Sequence, residues 1–413
     1  MVNAQMVNEL ALQRNKYKHL SDEEWRWFLQ QVEGRERTAD KLPTFAAIDD
    51  WWYPVRLSCE QCSSEATARY KAQIVLGKCP NGKCLDLTGG YGVDTYFLSE
   101  HFSHTDYVEQ NAELCRIAAH NFKRPTPTLP EGKEICVHNT TAEEFLKDHL
   151  SSISNHLYSL IFLDPARRDS HGGKVFKLAD CTPNVVELLP TLLSHLTPDG
   201  RIMLKLSPMI DLTQALKELA LSTVHHTPYT LLWDVHIVAV KNEVKEVLLL
   251  SRYTDVSKYR DLEPTITAID LSKKEQVFTF TREEEQATQA KMVNGTWSNG
   301  TWIYEPNAAI LKAGAYKLVA QRFGLQKLDT NTHLYTSETL VENFPGRVWK
   351  VKEPTPTLPK GKEMKQANVL VRNYPLTAEQ LKKKLHLRDG GTAFVIGCRV
   401  AGKPTVFLAD RLQ

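Results

Sequence analysis

The sequence predicts an α/β protein: a doubly wound, mainly parallel sheet, preceded by a helical segment and followed by a smaller α+β domain. Three observations carry this. From residue 81 onward, apolar runs of strand length alternate with helical patterns, as βαβ units do. The first run ends in a glycine-dense turn, Lys83-Cys-Leu-Asp-Leu-Thr-Gly-Gly-Tyr-Gly-Val-Asp94. Strand, glycine turn, helix is how a doubly wound sheet builds a nucleotide site at its carboxyl edge. After Tyr253 the composition turns polar and the alternation stops.

In order along the chain, residues 1–78 read as a helical segment ending in a helix that covers the site. Ser21-Asp-Glu-Glu24 offers an N-cap with Glu24 three residues on, the spacing of a capping box. A second helix is expected over 66–77, capped by Ser63 or Ser64. Residues 79–255 hold the sheet. Strands are expected at 83–87, 105–109, 135–138, 158–163 and 201–206, with helices at 93–101, 111–122, 142–149, 182–196 and 211–221. Two long strands, 230–240 and 244–252, then form an antiparallel hairpin through Lys241-Asn-Glu243. Residues 256–413 form the second domain. Its expected elements are strands 265–271 and 276–280, a charged stretch 282–291, a turn repeat (Asn294-Gly-Thr-Trp297, Asn299-Gly-Thr-Trp302) and one helix over 308–323. A β-α-β-β run follows at 367–373, 377–386, 392–399 and 404–409. The near-identical segments 125–134 and 354–363 are rich in proline, so both read as loops, tolerated insertions without chemistry.

With 413 residues, 42 % hydrophobic and 24 % charged, the chain has material for two or three packed domains of roughly 100–200 residues. No apolar run reaches the roughly 18 residues of a membrane span, and no signal-peptide pattern opens the chain, so a cytoplasmic protein without membrane contact is expected. Eight cysteines do not make a disulfide scaffold in a chain this long. Cys59-x-x-Cys62 with Cys79 and Cys84 can be drawn as a zinc quartet, but Cys84 reads as strand core, and no metal is expected. The net charge of +2 conceals an asymmetry: residues 301–413 carry 18 Lys and Arg against 9 Asp and Glu, a net of +9, leaving −7 on the first 300. A basic module beside an acidic body suggests a polyanion-binding appendage.

Asp86 closes the first strand, where it can accept N–H bonds from the glycine turn or meet a ligand's amino group. Glu109 closes the second strand, 17 residues after Gly92, where an acid accepts ribose hydroxyls. The spacing Asp86-x-x-x-Gly90-x-Gly92 resembles motif I of class I S-adenosylmethionine-dependent methyltransferases. A dinucleotide fingerprint wants a third glycine where this chain has Thr95. Acids at successive turns (Asp86, Asp94, Glu109, Asp164) suit a sulfonium cation better than a pyrophosphate. The remaining cofactor candidates are Gln61, Ser63 and Ser64 for the methionine end, Thr88, Gly89 and Gln110 in the turns, Asn139, Thr140 and Thr141 near the adenine, and Asp164. The fourth strand ends in Asp164-Pro-Ala-Arg-Arg168. In methyltransferases of exocyclic base amines the matching motif is Asp/Asn-Pro-Pro-aromatic, its acid or amide accepting from the amine. Ala166 and Arg167 depart from it toward the Asp-Pro-Pro-Arg type of RNA methyltransferases. Asp164, Pro165, Arg167 and Arg168 are the candidates at the methyl acceptor, the arginines for a phosphate or base.

Glu60-Gln-Cys-Ser-Ser-Glu65, the glycine turn, Asp164-Pro-Ala-Arg-Arg168 and Tyr304-Glu-Pro-Asn-Ala308 together resemble a bacterial family of class I methyltransferases with a C-terminal THUMP-like domain. The resemblance spans roughly residues 50–413 and implies a Rossmann-like methyltransferase sheet with a closing antiparallel hairpin, S-adenosylmethionine as cofactor, and an RNA substrate, tRNA or rRNA, because THUMP domains are RNA-binding modules of RNA-modifying enzymes. The expected function is RNA methylation, with Asp164 orienting or deprotonating the acceptor. The alternatives are a protein or small-molecule methyltransferase, and a non-catalytic RNA-binding scaffold that keeps a cofactor pocket.

Overall fold

In the computed structural model, residues 13–77, 79, 82–123, 133–149, 157–167, 177–223, 229–255, 263–272, 276–294, 301–355 and 365–412 are described. The chain divides into two compact units, one formed by residues 1–233 with 248–260 and the other by 234–247 with 261–413. The helical residues before 79 fall in the same unit as the sheet that follows them.

In the first unit, α1 (Asp22–Thr38) carries the expected capping box: Ser21 Oγ accepts from the Glu24 amide and Glu24 returns a carboxylate to the Ser21 amide. Next come α2 (Arg56–Gln61) and α3 (Glu65–Val75), the latter capped by Ser64, whose hydroxyl accepts from the Thr67 amide. Then β and α elements alternate: β1 (Lys83–Asp86), α4 (Val93–Ser99), β2 (His104–Glu109), α5 (Ala112–Asn121), β3 (Glu134–Asn139), α6 (Ala142–His149), β4 (Tyr158–Leu163), α7 (Val185–Ser194), β5 (Leu196–Leu206) and α8 (Leu212–Thr223). Strands β6 (Tyr229–Val240) and β7 (Glu243–Asp255) form the hairpin, whose chain leaves the first unit after residue 233 and re-enters it at 248. The order β7-β5-β4-β1-β2-β3, with β1 parallel to both β2 and β4 and β4 parallel to β5, is a Rossmann-like methyltransferase sheet. β4 is buried along all six residues, so its apolar run 160–163 reflects helices on both faces.

Residues 42–75 are part of the main core. Phe45, Trp51, Ala68 and Val75 pack with Cys84, Tyr96, Leu160 and Phe162. Trp51 Nε1 donates to Tyr91 Oη at 3.0 Å, and Tyr91 donates to the Trp52 carbonyl at 3.2 Å. The N-terminal segment is thereby bonded to the glycine turn itself.

In the second unit, β8 (Thr265–Asp270) runs parallel to residues 235–239 and antiparallel to β9 (Gln276–Thr281). The charged stretch contains α9 (Arg282–Ala287), begun by a Thr281/Glu284 capping box. A seven-stranded sheet is built from β10 (Trp302–Pro306), β11 (Gln326–Asp329), β12 (Thr332–Ser337), β13 (Gly346–Thr355), β14 (Asn368–Arg372), β15 (Ala393–Val400) and β16 (Lys403–Arg411), in the order β11-β12-β10-β13-β16-β15-β14. Helix α12 (Ala378–Lys384) joins β14 to β15, giving the expected β-α-β-β run. The single helix expected over 308–323 is instead two, α10 (Ala308–Ala313) and α11 (Tyr316–Arg322). Gly314 sits at φ +81° as a left-handed C-cap and ends the first. The repeated proline-rich segments lie outside the described residues except at their edges, where Glu134 opens β3 and Pro354-Thr355 close β13; the Asn-Gly-Thr-Trp repeat also lies largely outside them. No helix among the described residues is long and apolar enough to cross a membrane.

Candidate functional site

At the carboxyl ends of β1, β2 and β4 the first unit opens a cleft of about 450 Å³, within the roughly 300–1,000 Å³ of small-molecule pockets. Five carboxylates line it, Asp86, Asp94, Glu109, Glu143 and Asp164, against one cation among the described lining residues, Lys205. Such a lining repels a pyrophosphate and favours a cationic ligand.

The glycine turn forms the floor. Gly92 holds φ +81°, which a side chain rarely tolerates, and a Cβ there would lie 2.6 Å from the Phe122 ring. A Cβ on Gly89 would lie 2.1 Å from the ring of Tyr107, whose hydroxyl donates to the Gly90 carbonyl at 2.6 Å. The Gly90 amide donates to Glu109 Oε2 at 2.9 Å and the Asn111 amide to Oε1 at 2.8 Å. Each carboxylate oxygen has two acceptor sites, so Glu109 is held rigidly by the backbone and still has lone pairs for a diol. Asp86 is buried; the Thr88 amide donates to Oδ1 at 2.9 Å and Thr95 Oγ1 to Oδ2 at 2.6 Å. Burial outweighs these bonds and pushes its carboxyl up to about 7. Thr95 thus stands where a dinucleotide site needs glycine, and it holds the strand-end acid.

A second network was not foreseen. Lys71 on α3 is fully buried and pairs with Asp94 at 3.2 Å, while Ser63 Oγ donates to Asp94 Oδ2 at 2.7 Å. On the other side Lys205, at the end of β5, lies 3.7 Å from Asp94 and in close contact with Asp164. Burial opposes the Asp94 charge, but Lys71, Lys205 and Ser63 together prevail and hold its carboxyl below the usual range. The Asp164 amide donates to Thr88 Oγ1 at 2.6 Å, which ties the end of β4 to the glycine turn.

Of the residues singled out from sequence, Gln61, Ser63, Asp86, Thr88, Gly89, Gly90, Gly92, Glu109, Gln110, Thr140, Thr141 and Asp164 all line the cleft. Asn139 does not. Its side-chain amide donates to the Glu109 and Gln110 carbonyls at 3.0 and 3.1 Å and so braces the loop from behind. Pro165 is buried next to the lining, whereas Ala166, Thr182 and Pro183 contribute to it. Arg167 pairs through its backbone with Cys181; its side chain and all of Arg168 lie outside the described residues. Among the described residues the four cysteines drawn as a zinc quartet do not converge as ligands. Lys71 and Lys205 carried no local signal, since a lysine in an ordinary helix or strand pattern reads as solvated.

The sheet order and the acid-rich cleft at its carboxyl edge define a class I methyltransferase fold. A family model described as a ferredoxin-like domain matches residues 302–345, and one described as THUMP domain-like matches 346–411. A crystal structure of a "putative methyltransferase" from Porphyromonas gingivalis W83 is 33 % identical, covering 95 % of this chain and 92 % of that one with a TM-score of 0.77. The chain belongs to that family, class I methyltransferases with a C-terminal THUMP-like domain. Human methyltransferase-like protein 13, solved with S-adenosylhomocysteine, is 18 % identical over 46 % of this chain and 78 % of its own, with a TM-score of 0.32, too slight a likeness to argue from. No curated protein matches the chain.

Proposed function

We propose that the chain is an S-adenosylmethionine-dependent methyltransferase acting on RNA. The observation that carries the cofactor reading is Glu109, fixed at the end of β2 by two backbone amides with lone pairs left for ribose hydroxyls. The acid-rich lining supports it, because S-adenosylmethionine is a sulfonium cation without a pyrophosphate. Glu109 and Gln110 would hold the ribose, Thr140 and Thr141 would flank the adenine, and Asp86 with Ser63 and Gln61 would face the methionine end. The bound cofactor supplies an electrophilic methyl group, and transfer then needs chiefly in-line positioning of the acceptor. Asp164 supplies an acceptor for the target's N–H or O–H, and Lys205 sets where that carboxylate points.

The RNA reading rests on the THUMP-like match and on the net +9 of residues 301–413. Nucleoside mass spectrometry of total RNA from a deletion strain tests it. One methylated nucleoside should disappear and return with the wild-type chain but not with Asp164→Ala. An unchanged RNA profile beside a lost protein or small-molecule methylation would replace RNA with that substrate. An unchanged profile with no other methylation lost would leave the scaffold reading.

A further inference from the structure

On β2 and β3, the strands that end at Glu109 and Asn139, a second group of chemically apt side chains lies toward the opposite ends. His104 and Asp106 are two apart on β2 and share a face. Glu134, Cys136 and His138 alternate likewise on β3, and the parallel register sets His104 beside Glu134 and Asp106 beside Cys136. The ligand atoms of His104, Asp106 and Cys136 all lie within 4.8 Å of one another.

The hydrogen bonding of His104 is the telling feature. Its Nδ1 lies 3.2 Å from Glu134 Oε2 and its Nε2 lies 3.2 Å from Asp106 Oδ2. A neutral imidazole has one N–H, so with both ring nitrogens facing carboxylates, one of them presents a bare lone pair to an anion. A metal ion bound at that nitrogen relieves the repulsion. With Nδ1–H given to Glu134, the Nε2 lone pair points to the space shared with Asp106 and the Cys136 thiol. A carboxylate behind a ligating histidine is the arrangement that fixes its tautomer in zinc sites. Asp106 is supported in turn: His138 Nε2 approaches Oδ1 at 2.7 Å and the Tyr158 hydroxyl donates to Oδ2 at 2.9 Å.

We propose that His104, Asp106 and Cys136 form a binding site for a zinc-class divalent cation. One imidazole nitrogen, one carboxylate oxygen and one thiolate are the donor set that such ions select, and a water completes four-coordination. The ion displaces the thiol proton, which passes to solvent, and offsets the negative charge of Asp106 and Glu134. This revises the expectation of a metal-free protein, and it stands independently of the substrate and of the cofactor cleft at the other ends of these strands.

Cobalt(II) titration of the chelator-treated full-length chain tests the site. Wild type should bind one ion per chain and show a thiolate-to-cobalt charge-transfer band. About one proton per ion should be released when calorimetry is repeated in buffers of different ionisation enthalpy. Zinc should displace the cobalt and raise Tm. Cys136→Ser and Cys136→Ala should abolish the band, and His104→Ala should weaken binding by about tenfold or more. Far-ultraviolet circular dichroism of each variant serves as the fold control. A charge-transfer band that survives loss of Cys136 would overturn the proposal by moving the metal elsewhere. Absence of cobalt binding by wild type would overturn it outright.

Discussion

Burial raises the Asp86 carboxyl to about 7, against the pull of the Thr95 hydroxyl and the Thr88 amide. The sign of the resulting pH dependence follows from linkage. Because the folded value exceeds the ordinary 3.8, the protonated form favours the native state. Asp86 therefore adds stability that is complete below about pH 4 and is lost as pH rises through about 7. A bound cation reverses the preference, since it favours the ionised carboxylate. Affinity for S-adenosylmethionine should accordingly rise between about pH 5 and pH 7.5 and level off above. Asp86→Asn should bind more weakly with a flat profile, which calorimetry across that range would show; a variant that kept the wild-type slope would place the titrating group elsewhere. The places of Asp86, Gly90, Gly92 and Glu109 in the cleft were legible in the sequence because they are set by local spacing around one strand-turn-helix. Lys205 was not, because 41 residues separate it from Asp164 and only the parallel pairing of β4 with β5 brings them together.

Helix α3 is fastened to the sheet by a charge. Lys71 is 0 % exposed, and its ammonium, the Asp94 carboxylate at the start of α4 and Lys205 form one chain of opposite charges. Removing one partner of a buried pair costs about 3–5 kcal/mol when the other is left uncompensated, and here Lys205 and Ser63 still hold Asp94, which puts the loss toward the lower end. Lys71→Met should therefore lower Tm by roughly 10 °C, and adding Asp94→Asn to it should recover part of that loss. A Tm unchanged in Lys71→Met would show that the pair adds nothing. The same element illustrates why sequence reading stops where it does. The Ser64 cap and the apolar pattern of 65–75 are local and were readable, whereas the partner of its one buried lysine is not. In the second unit, the apolar pattern of 308–323 runs on across Gly314, and only the left-handed backbone there separates α10 from α11. The Thr281/Glu284 box announcing α9 was present but masked by a run of like charges. Strands β10 to β13 carry no clear strand signal because polar residues interrupt their alternation, as in Thr332–Ser337.

At the scale of the molecule, the RNA reading makes a claim about each unit that is tested separately. In the second unit Lys383 and Lys384 on α12, with Arg388 just beyond, are exposed. Lys382 is engaged instead by Glu379 and Asp389. If this surface holds phosphates, Lys383→Glu with Lys384→Glu should weaken RNA binding and reduce the salt slope of log K by about two. Affinity for S-adenosylmethionine should stay unchanged, since neither residue lines the cleft. An unaltered salt slope would remove α12 from the RNA surface. The functional reading rests on the cleft of the first unit taking S-adenosylmethionine through Glu109. Calorimetric titration of the cofactor into wild type and Glu109→Ala measures it directly. The account predicts one site per chain, weakened by about 1.5–3 kcal/mol when the carboxylate is removed. No binding by wild type, or binding indifferent to Glu109→Ala, would contradict it.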